Sequence, residues 1–239
     1  MARRRILTLS LWCFGMFAVL CWLGTWQIQR LHWKEGLIAE RTAATSGAPV
    51  APPRSLDAAR SLDFHRIEAK GQFLYGHEIP VHGIERQRGA AGYLLMTPLR
   101  LADGSVVLVE RGWVPTEKRD AATRAAGNPP GMVPVDGLLR LAPAEKPGWF
   151  LPANDPGRGE WFWIDLPAIA RAAGVPEALP FYLEAGPAPN PGGLPVGGQA
   201  NTELRNDHLQ YAITWFALAA ALAVIYLLLL RRELTAARS

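Results

Sequence analysis

The chain has 239 residues and is 49% hydrophobic, although 20 residues are proline and 23 are glycine. That length allows one or two domains, and such an apolar content indicates that the apolar residues are concentrated locally. The formal net charge is +4, with arginines at both ends and nearly equal numbers of basic and acidic side chains in residues 29–208. This middle part has no basic field for phosphates, so we expect no nucleic-acid binding.

Residues 6–28 and residues 209–230 contain no Asp, Glu, Lys or Arg. Each stretch exceeds the ~20 apolar residues that a helix needs to cross a bilayer. We therefore predict transmembrane helices over residues 6–28 and 208–230, which excludes a purely soluble enzyme. The first apolar stretch is longer than a ~7–15-residue signal-peptide core and lacks a small-x-small cleavage site, so we expect an uncleaved anchor.

Arginines flank the outer edges of both predicted spans, at residues 3–5 and at Arg231 and Arg232. By the positive-inside rule, residues 1–5 and 231–239 are cytoplasmic tails, or matrix tails if the protein is mitochondrial. Residues 29–207 then form an exported domain. The two cysteines, Cys13 and Cys21, both lie in the first span. Eight residues of helix separate them by ~12 Å, too far for a disulfide with each other.

The exported domain begins with an amphipathic continuation of the first helix to Thr45 and a Pro-rich linker over residues 46–53. Strict alternation of apolar and polar side chains then predicts a strand over residues 66–73. Six further strands are predicted, over residues 78–82, 93–101, 106–113, 133–141, 161–164 and 181–185.

The sequence also predicts turns and helix caps in this domain. Asp103-Gly104 predicts a hairpin turn, and Gly112 after an apolar run predicts a bulge or bend. Thr116 is the predicted cap of a helix to Ala126, and Asp165 that of a helix over residues 166–173. The resulting fold class is two transmembrane helices flanking an exported, mainly antiparallel β domain, barrel-like, with short helices.

Motifs for hydrolysis or nucleotide chemistry are missing from the sequence, which has no Gly-x-Ser-x-Gly, phosphate-binding glycine loop or His-x-x-x-His. His77 and His82 differ by an odd number, so on one strand they face opposite sides and cannot share a metal. His65 stands alone before a strand. We interpret all three as surface or core histidines.

His208 differs because it lies at the water-facing mouth of the second span. Asp207 and Gln210 have capping-box spacing, which puts His208 in the first helical turn. There the helix dipole disfavours an imidazolium, and a neutral imidazole can donate to a metal. An interfacial polar anchor is the alternative role.

His208, Tyr211, Trp215 and Leu218 share one helical face, with a metal ligand above aromatic and apolar side chains. This pattern suits a haem with a hydrocarbon tail. Arg205 and Arg30 lie at the same level and are candidate partners for the propionates. Trp26 completes the candidate cofactor-binding set, although the spacing of tryptophans around it also fits an interfacial aromatic belt.

Six motifs, in this order, carry a resemblance to a known family. They are Leu23-Gly24-Thr25-Trp26-Gln27 with Arg30, Trp33 and Lys34; Gly92-Tyr93 with Thr97-Pro98-Leu99; Val109-Glu110-Arg111-Gly112-Trp113-Val114-Pro115; Asn154-Asp155-Pro156 with Trp161 and Asp165-Leu166; Gly197-Gly198-Gln199; and Asn206-Asp207-His208-Leu209-Gln210-Tyr211 with Thr214-Trp215. Over nearly the whole chain the sequence resembles the surfeit-locus protein family of cytochrome c oxidase assembly factors. One departure is Glu110, where that family usually has Asn.

The resemblance implies a chaperone of respiratory-chain biogenesis, not an enzyme, in a bacterial inner (plasma) membrane. It implies transient binding of haem a with His208 as the iron ligand, and it names the oxidase catalytic subunit and haem a synthase as partners beside the lipid bilayer. His32 lies outside the motif, so no second ligand is carried onto it. The rival hypothesis is a scaffold that tethers synthase and oxidase subunit without touching haem; it needs the packing of the second span but not His208.

Overall fold

The computed structural model describes residues 2–236. Met1 and residues 237–239 of the predicted cytoplasmic tails, including Arg238, lie outside the described residues. The helices are α1 (Ala2–Ser46), α2 (Leu56–Arg60), α3 (Leu166–Ala172) and α4 (His208–Ala236). The strands are β1 (Arg66–Phe73), β2 (Ile79–Ile84), β3 (Ala91–Leu101), β4 (Val106–Pro115), β5 (Met132–Arg140) and β6 (Tyr182–Ala185). The chain divides into two compact units, residues 1–40 with 203–239 and residues 41–202.

Two helices among the described residues are long and apolar enough to cross a membrane, Ile6–Ser46 and His208–Thr235. The first unit contains the second of them and the first as far as Glu40. Large apolar side chains on both helices are exposed, among them Leu11, Phe14 and Ile213. Such surfaces fit a lipid environment and not water. The predicted continuation of the first helix to Thr45 is confirmed, since α1 runs without a break to Ser46.

The second unit is a six-stranded sheet in the order β1-β5-β6-β4-β3-β2. An additional pairing of β1 with β3 closes five of the strands into a barrel and leaves β2 as an outer strand on β3. All pairs are antiparallel except β4 with β6. The predicted fold class is confirmed: two apolar helices flank a barrel-like, mainly antiparallel domain.

Two apolar layers stabilise this barrel. Ile67, Leu99 and Phe181 belong to one buried cluster, which includes the inward face of β1. Leu108, Trp161 and side chains of α3 belong to another. Nine of the ten residues of β4 are therefore buried, on both faces of the strand. This burial makes β4 the central strand of the domain.

Several local predictions are confirmed. β1 has the predicted ends, and its alternate residues Ile67, Ala69 and Gly71 are buried. Gly104 adopts φ +87° in the hairpin turn. The Asp165 side chain caps α3 by accepting a hydrogen bond from the Ala168 backbone N–H at 3.1 Å. The other predicted strands shift by two residues or fewer at each end, apart from the segment described next.

The predicted strand over residues 161–164 is wrong, so the described chain has six strands and not seven. The Asn154 side chain prevents a ladder there, because its Oδ1 accepts hydrogen bonds from the backbone N–H groups of Phe162 and Trp163. The Trp161 carbonyl accepts a single backbone hydrogen bond from the sheet, from the His82 N–H at 2.7 Å. The Trp161 side chain is buried in the apolar core, although its backbone forms no strand.

The predicted helix from Thr116 to Ala126 is also wrong. The segment forms two 3₁₀ turns, Thr116–Lys118 and Ala121–Gly127, and the second is capped by Asp120 and not by Thr116. Arg124 has non-helical backbone angles within it. Its guanidinium forms a buried ion pair with Glu78.

Candidate functional site at the mouth of the second span

The candidate site lies in the membrane-helix unit, where α4 begins at His208 as predicted. The Asp207 backbone carbonyl accepts the first helical hydrogen bond, from the Tyr211 N–H at 3.2 Å. Local side chains differ from the predicted capping box. The Asp207 carboxylate pairs with Arg205, while Asn206 Oδ1 lies 3.5 Å from the His208 backbone N–H. His208 is therefore held at the helix start, with its imidazole projecting from the first turn.

Small residues allow α1 and α4 to approach closely beneath His208. Gly24 is buried, and a Cβ atom added to it would lie 2.7 Å from the Phe216 ring. Ala212 and Ala219 on α4 are buried as well. Membrane helices associate through such small-residue contacts, since lipid supplies no hydrophobic drive between them.

The His208 imidazole is half-buried and bonded across this helix pair. Its Nδ1 lies 2.7 Å from Oε1 of Gln27, which stands 181 residues earlier in the sequence. Among the described residues, Nε2 has no hydrogen-bond partner. The ring therefore has one nitrogen engaged and one available, as a single axial metal ligand requires.

None of the other predicted site residues forms a hydrogen bond with the His208 side chain among the described residues. Trp215 is half-buried, whereas Tyr211 and Trp26 are 55% and 45% exposed. The Arg30 guanidinium lies 3.7 Å from the centre of the Trp33 ring, and Arg205 is paired with Asp207. Both arginine side chains are exposed. The hydrogen-bond partner of the His208 ring is Gln27, which does not belong to the predicted set of site residues and which sequence reasoning missed.

A second polar contact joins the two helices further along. Ser10 Oγ and Tyr226 Oη are 2.7 Å apart, beside an apolar groove of about 610 Å³. Cys13 lines this groove, and both cysteines are free, as predicted.

Comparison with known proteins places these features in a family. A profile described as the SURF1 family matches residues 14–220. The chain belongs to the SURF1 family. It is 36% identical over 221 residues to the SURF1-like protein of Monosiga brevicollis, covering 88% of this chain and 83% of that protein. It is 35% identical over 219 residues to Surfeit locus protein 1 of Homo sapiens, covering 85% and 71%.

The Glu110-Arg111-Gly112-Trp113 segment of this SURF1-family chain forms the predicted bulge. β4 carries one extra residue between the Leu94–Trp113 and Met96–Glu110 pairs of the β3–β4 ladder. Gly112 adopts φ +133°, and a Cβ atom there would overlap the Val196 carbonyl. The bulge turns Trp113 to pair with Val196, which directly precedes Gly197-Gly198-Gln199, and a Cβ atom on Gly112 would lie 2.8 Å from the Gly197 nitrogen. Two of the family motifs therefore meet at a backbone position that only glycine fits.

Arg111 belongs to a buried ionic cluster that sequence reasoning missed. Glu78 is paired with both Arg111 and Arg124, and all three side chains are 6% exposed or less. The Arg111 guanidinium also donates to the Asn128 side chain and lies about 5 Å from the rings of Phe73 and Tyr75. Burial lowers the pKa of Arg111, while the Glu78 charge opposes that effect. The cluster ties the 3₁₀ segment to the barrel.

Glu110 forms a second buried cluster with the neighbouring strand. It is directly paired with Glu184 in the parallel β4–β6 register, and both carboxyl groups are buried. Arg140 donates to both carboxylate oxygens of Glu184 at 2.9 Å. Burial raises the pKa of Glu110 to about 8, with a further increase from the Glu184 charge. Burial also raises the pKa of Glu184, against the opposing charge of Arg140.

The three histidines of the barrel domain have local partners. His77 Nδ1 lies 2.8 Å from the Ala173 carbonyl, and His82 Nε2 lies 2.5 Å from a Glu160 carboxylate oxygen. His65 Nδ1 lies 3.4 Å from the Asp63 carbonyl. The hydrogen bond from His82 lowers the pKa of Glu160. Across residues 2–236, no group of three or more His, Cys, Asp or Glu side chains is placed to hold a metal ion.

Proposed function

We propose that this SURF1-family chain is an assembly factor for cytochrome c oxidase that holds haem a transiently at His208 and delivers it to the oxidase catalytic subunit. The observation that carries the proposal is the half-buried His208 imidazole at the start of α4, with Nδ1 bonded and Nε2 available. The family resemblance supplies the oxidase and the haem type.

The residues at this position suit a haem. A neutral imidazole nitrogen is a proximal ligand of haem iron, and Tyr211 and Trp215 offer aromatic surface one and two turns below His208. The exposed guanidinium groups of Arg30 and Arg205 are available to carboxylates, although Arg205 must exchange its Asp207 partner. When bound, haem a would supply an iron that His208 would hold through one ring nitrogen. A single protein ligand favours release, because the receiving protein can contribute its own.

The role we propose is delivery without catalytic turnover. His208 acts as an electron-pair donor and the aromatic side chains as a hydrophobic wall; neither role requires a proton transfer. The proposed partners are the haem a synthase, the oxidase catalytic subunit and the lipid bilayer.

We also propose that both termini face the cytoplasm of a bacterium and that the barrel domain is periplasmic. The arginines flanking the two spans support this orientation. Both relatives described above are eukaryotic, and in a mitochondrion the same pattern would place the termini in the matrix. Reporter fusions after Arg232 and at Gly47 test the orientation, which a cytoplasmic signal at Gly47 would overturn.

An absorption spectrum of the full chain, purified from haem-a-producing cells in mild detergent, tests the proposal. We expect a haem a spectrum, with reduced content in cells that lack the haem a synthase. Purification without haem, but together with synthase and oxidase subunit, would favour the tethering scaffold instead.

A further inference from the structure

Gln27 is the polar side chain that contacts the candidate iron ligand across the helix pair. It lies one helical turn after Gly24, which packs against the Phe216 ring of α4. It is half-buried, and its Oε1 is 2.7 Å from His208 Nδ1. Residues 6–28 contain no charged side chain, so this amide stands out as a strong hydrogen-bonding group near the end of the first span.

The contact determines which ring nitrogen carries the proton. An amide oxygen only accepts hydrogen bonds, so Nδ1 must be the donor. In a neutral imidazole with its proton on Nδ1, Nε2 has the free electron pair. Nε2 is also the nitrogen without a partner among the described residues.

We propose that Gln27 is a positioning residue: it fixes the Nδ1–H tautomer and the ring orientation of His208 so that Nε2 faces the haem iron. This inference rests on the proposed haem-binding function. Metal-ligating histidines generally donate their second N–H to a fixed acceptor, which orients the ring and raises the basicity of the ligand. An amide raises that basicity less than a carboxylate does. Gln27 therefore holds the ring in place while keeping the iron bond weak enough for transfer.

A purely structural role for Gln27, as polar glue between membrane helices, is the competing explanation. The chain offers a matched control for it. Ser10 and Tyr226 form another hydrogen bond between α1 and α4, also at 2.7 Å, near the opposite ends of the spans from His208. Tyr226→Phe removes that bond without touching His208, so a general loss of helix packing affects this variant as well.

The first measurement needs no haem. Nitrogen NMR of the full chain with ¹⁵N-histidine, in micelles at neutral pH, reports the tautomer of each ring, and the His208→Ala spectrum assigns the His208 signals. We expect the Nδ1–H tautomer in the wild type and in Tyr226→Phe. We expect a shift toward the Nε2–H tautomer in Gln27→Leu. Equal tautomer populations in Gln27→Leu and wild type would overturn the inference.

The second measurement uses the haem-loaded chain. We expect Gln27→Leu to weaken haem retention about 10–100-fold, and Gln27→Glu, of nearly the same shape, to strengthen it and lower the midpoint potential of the iron. Tyr226→Phe should match the wild type in both. If Gln27→Leu does not fold, the Gln27→Glu variant is the test. A midpoint potential and haem retention of Gln27→Glu equal to those of the wild type would overturn the inference. If wild type and His208→Ala bind haem equally, the proposed ligand role of His208 fails, whatever the tautomer measurement shows.

Discussion

The barrel domain and the membrane-helix pair differ in how the polar side chains described above are paired. In the barrel, Glu78 is paired with two arginines and Glu184 receives two hydrogen bonds from Arg140. In the helix pair, His208 has one bonded ring nitrogen and one without a partner among the described residues. Paired charges inside a domain favour one conformation of its fold, whereas a ring nitrogen with a free electron pair is available to a ligand. We therefore expect the barrel clusters to govern stability, and we place the proposed ligand site in the helix pair.

Substitution of Gly112 should have the largest effect and act on folding alone. In Gly112→Glu, a side chain at φ +133° has to coexist with the Val196 carbonyl, which we expect to cost more than about 3 kcal/mol. Folded protein recovered from membranes should fall steeply. Gly76→Glu, at a position with open space around it, is the control. Normal abundance of Gly112→Glu with selective loss of haem would instead place the bulge in the haem site.

Removal of one partner from the Glu78 cluster should rank next. Arg124→Ala leaves a buried carboxylate with one of its two arginines, which we expect to destabilise the chain by about 1.5–3 kcal/mol. Arg158→Ala removes an exposed pair with Asp155 and should cost less than about 1 kcal/mol. Thermal unfolding of the full chain in detergent compares the two variants. Similar stability of the two would mean that the cluster does not hold the fold.

The Glu110 cluster predicts a smaller, pH-dependent effect. Because burial raises the pKa of Glu110 from 4.5 to about 8, the folded chain binds this proton more tightly than the unfolded chain. The stabilisation is fully present below pH 4.5 and is lost as pH rises to about 8. Glu110→Gln should therefore reduce the decrease in unfolding free energy over this range. Part of the decrease should remain in this variant, because the pKa of Glu184 is also raised.

Glu145→Gln, at an exposed position, is the matched control and should leave the pH profile unchanged. A Glu110→Gln profile that follows the wild type throughout this range would show that Glu110 is not protonated preferentially in the folded chain.

The sequence predicted best those features whose signals are local. Uncharged stretches revealed both spans, strict alternation revealed β1, and the Asp165 cap revealed the start of α3. The aromatic segment beginning at Trp161 resembled a strand, but the Asn154 side chain competes for its backbone N–H groups. The non-helical backbone of Arg124 was not predictable either, because its ion-pair partner Glu78 lies 46 residues away in sequence.

The candidate site follows the same rule. The position of His208 at the start of α4 was predictable, because the sequence signals for the start of an apolar helix are local. Gln27 was not, because its partner lies 181 residues away and only helix packing brings the two together. The Glu110–Glu184 pair could not be predicted either, because only the parallel register of β4 and β6 brings the two residues together.

The most direct test of the central claim is the haem content of His208 variants, purified as full chains from haem-a-producing cells. His208→Ala should lose most bound haem a while inserting normally, because residues 209–230 remain long enough and uncharged. His208→Gln retains a polar side chain at this depth but has no imidazole nitrogen, and it should lose haem equally. Wild-type haem content and an unchanged Soret band in His208→Gln would contradict the account.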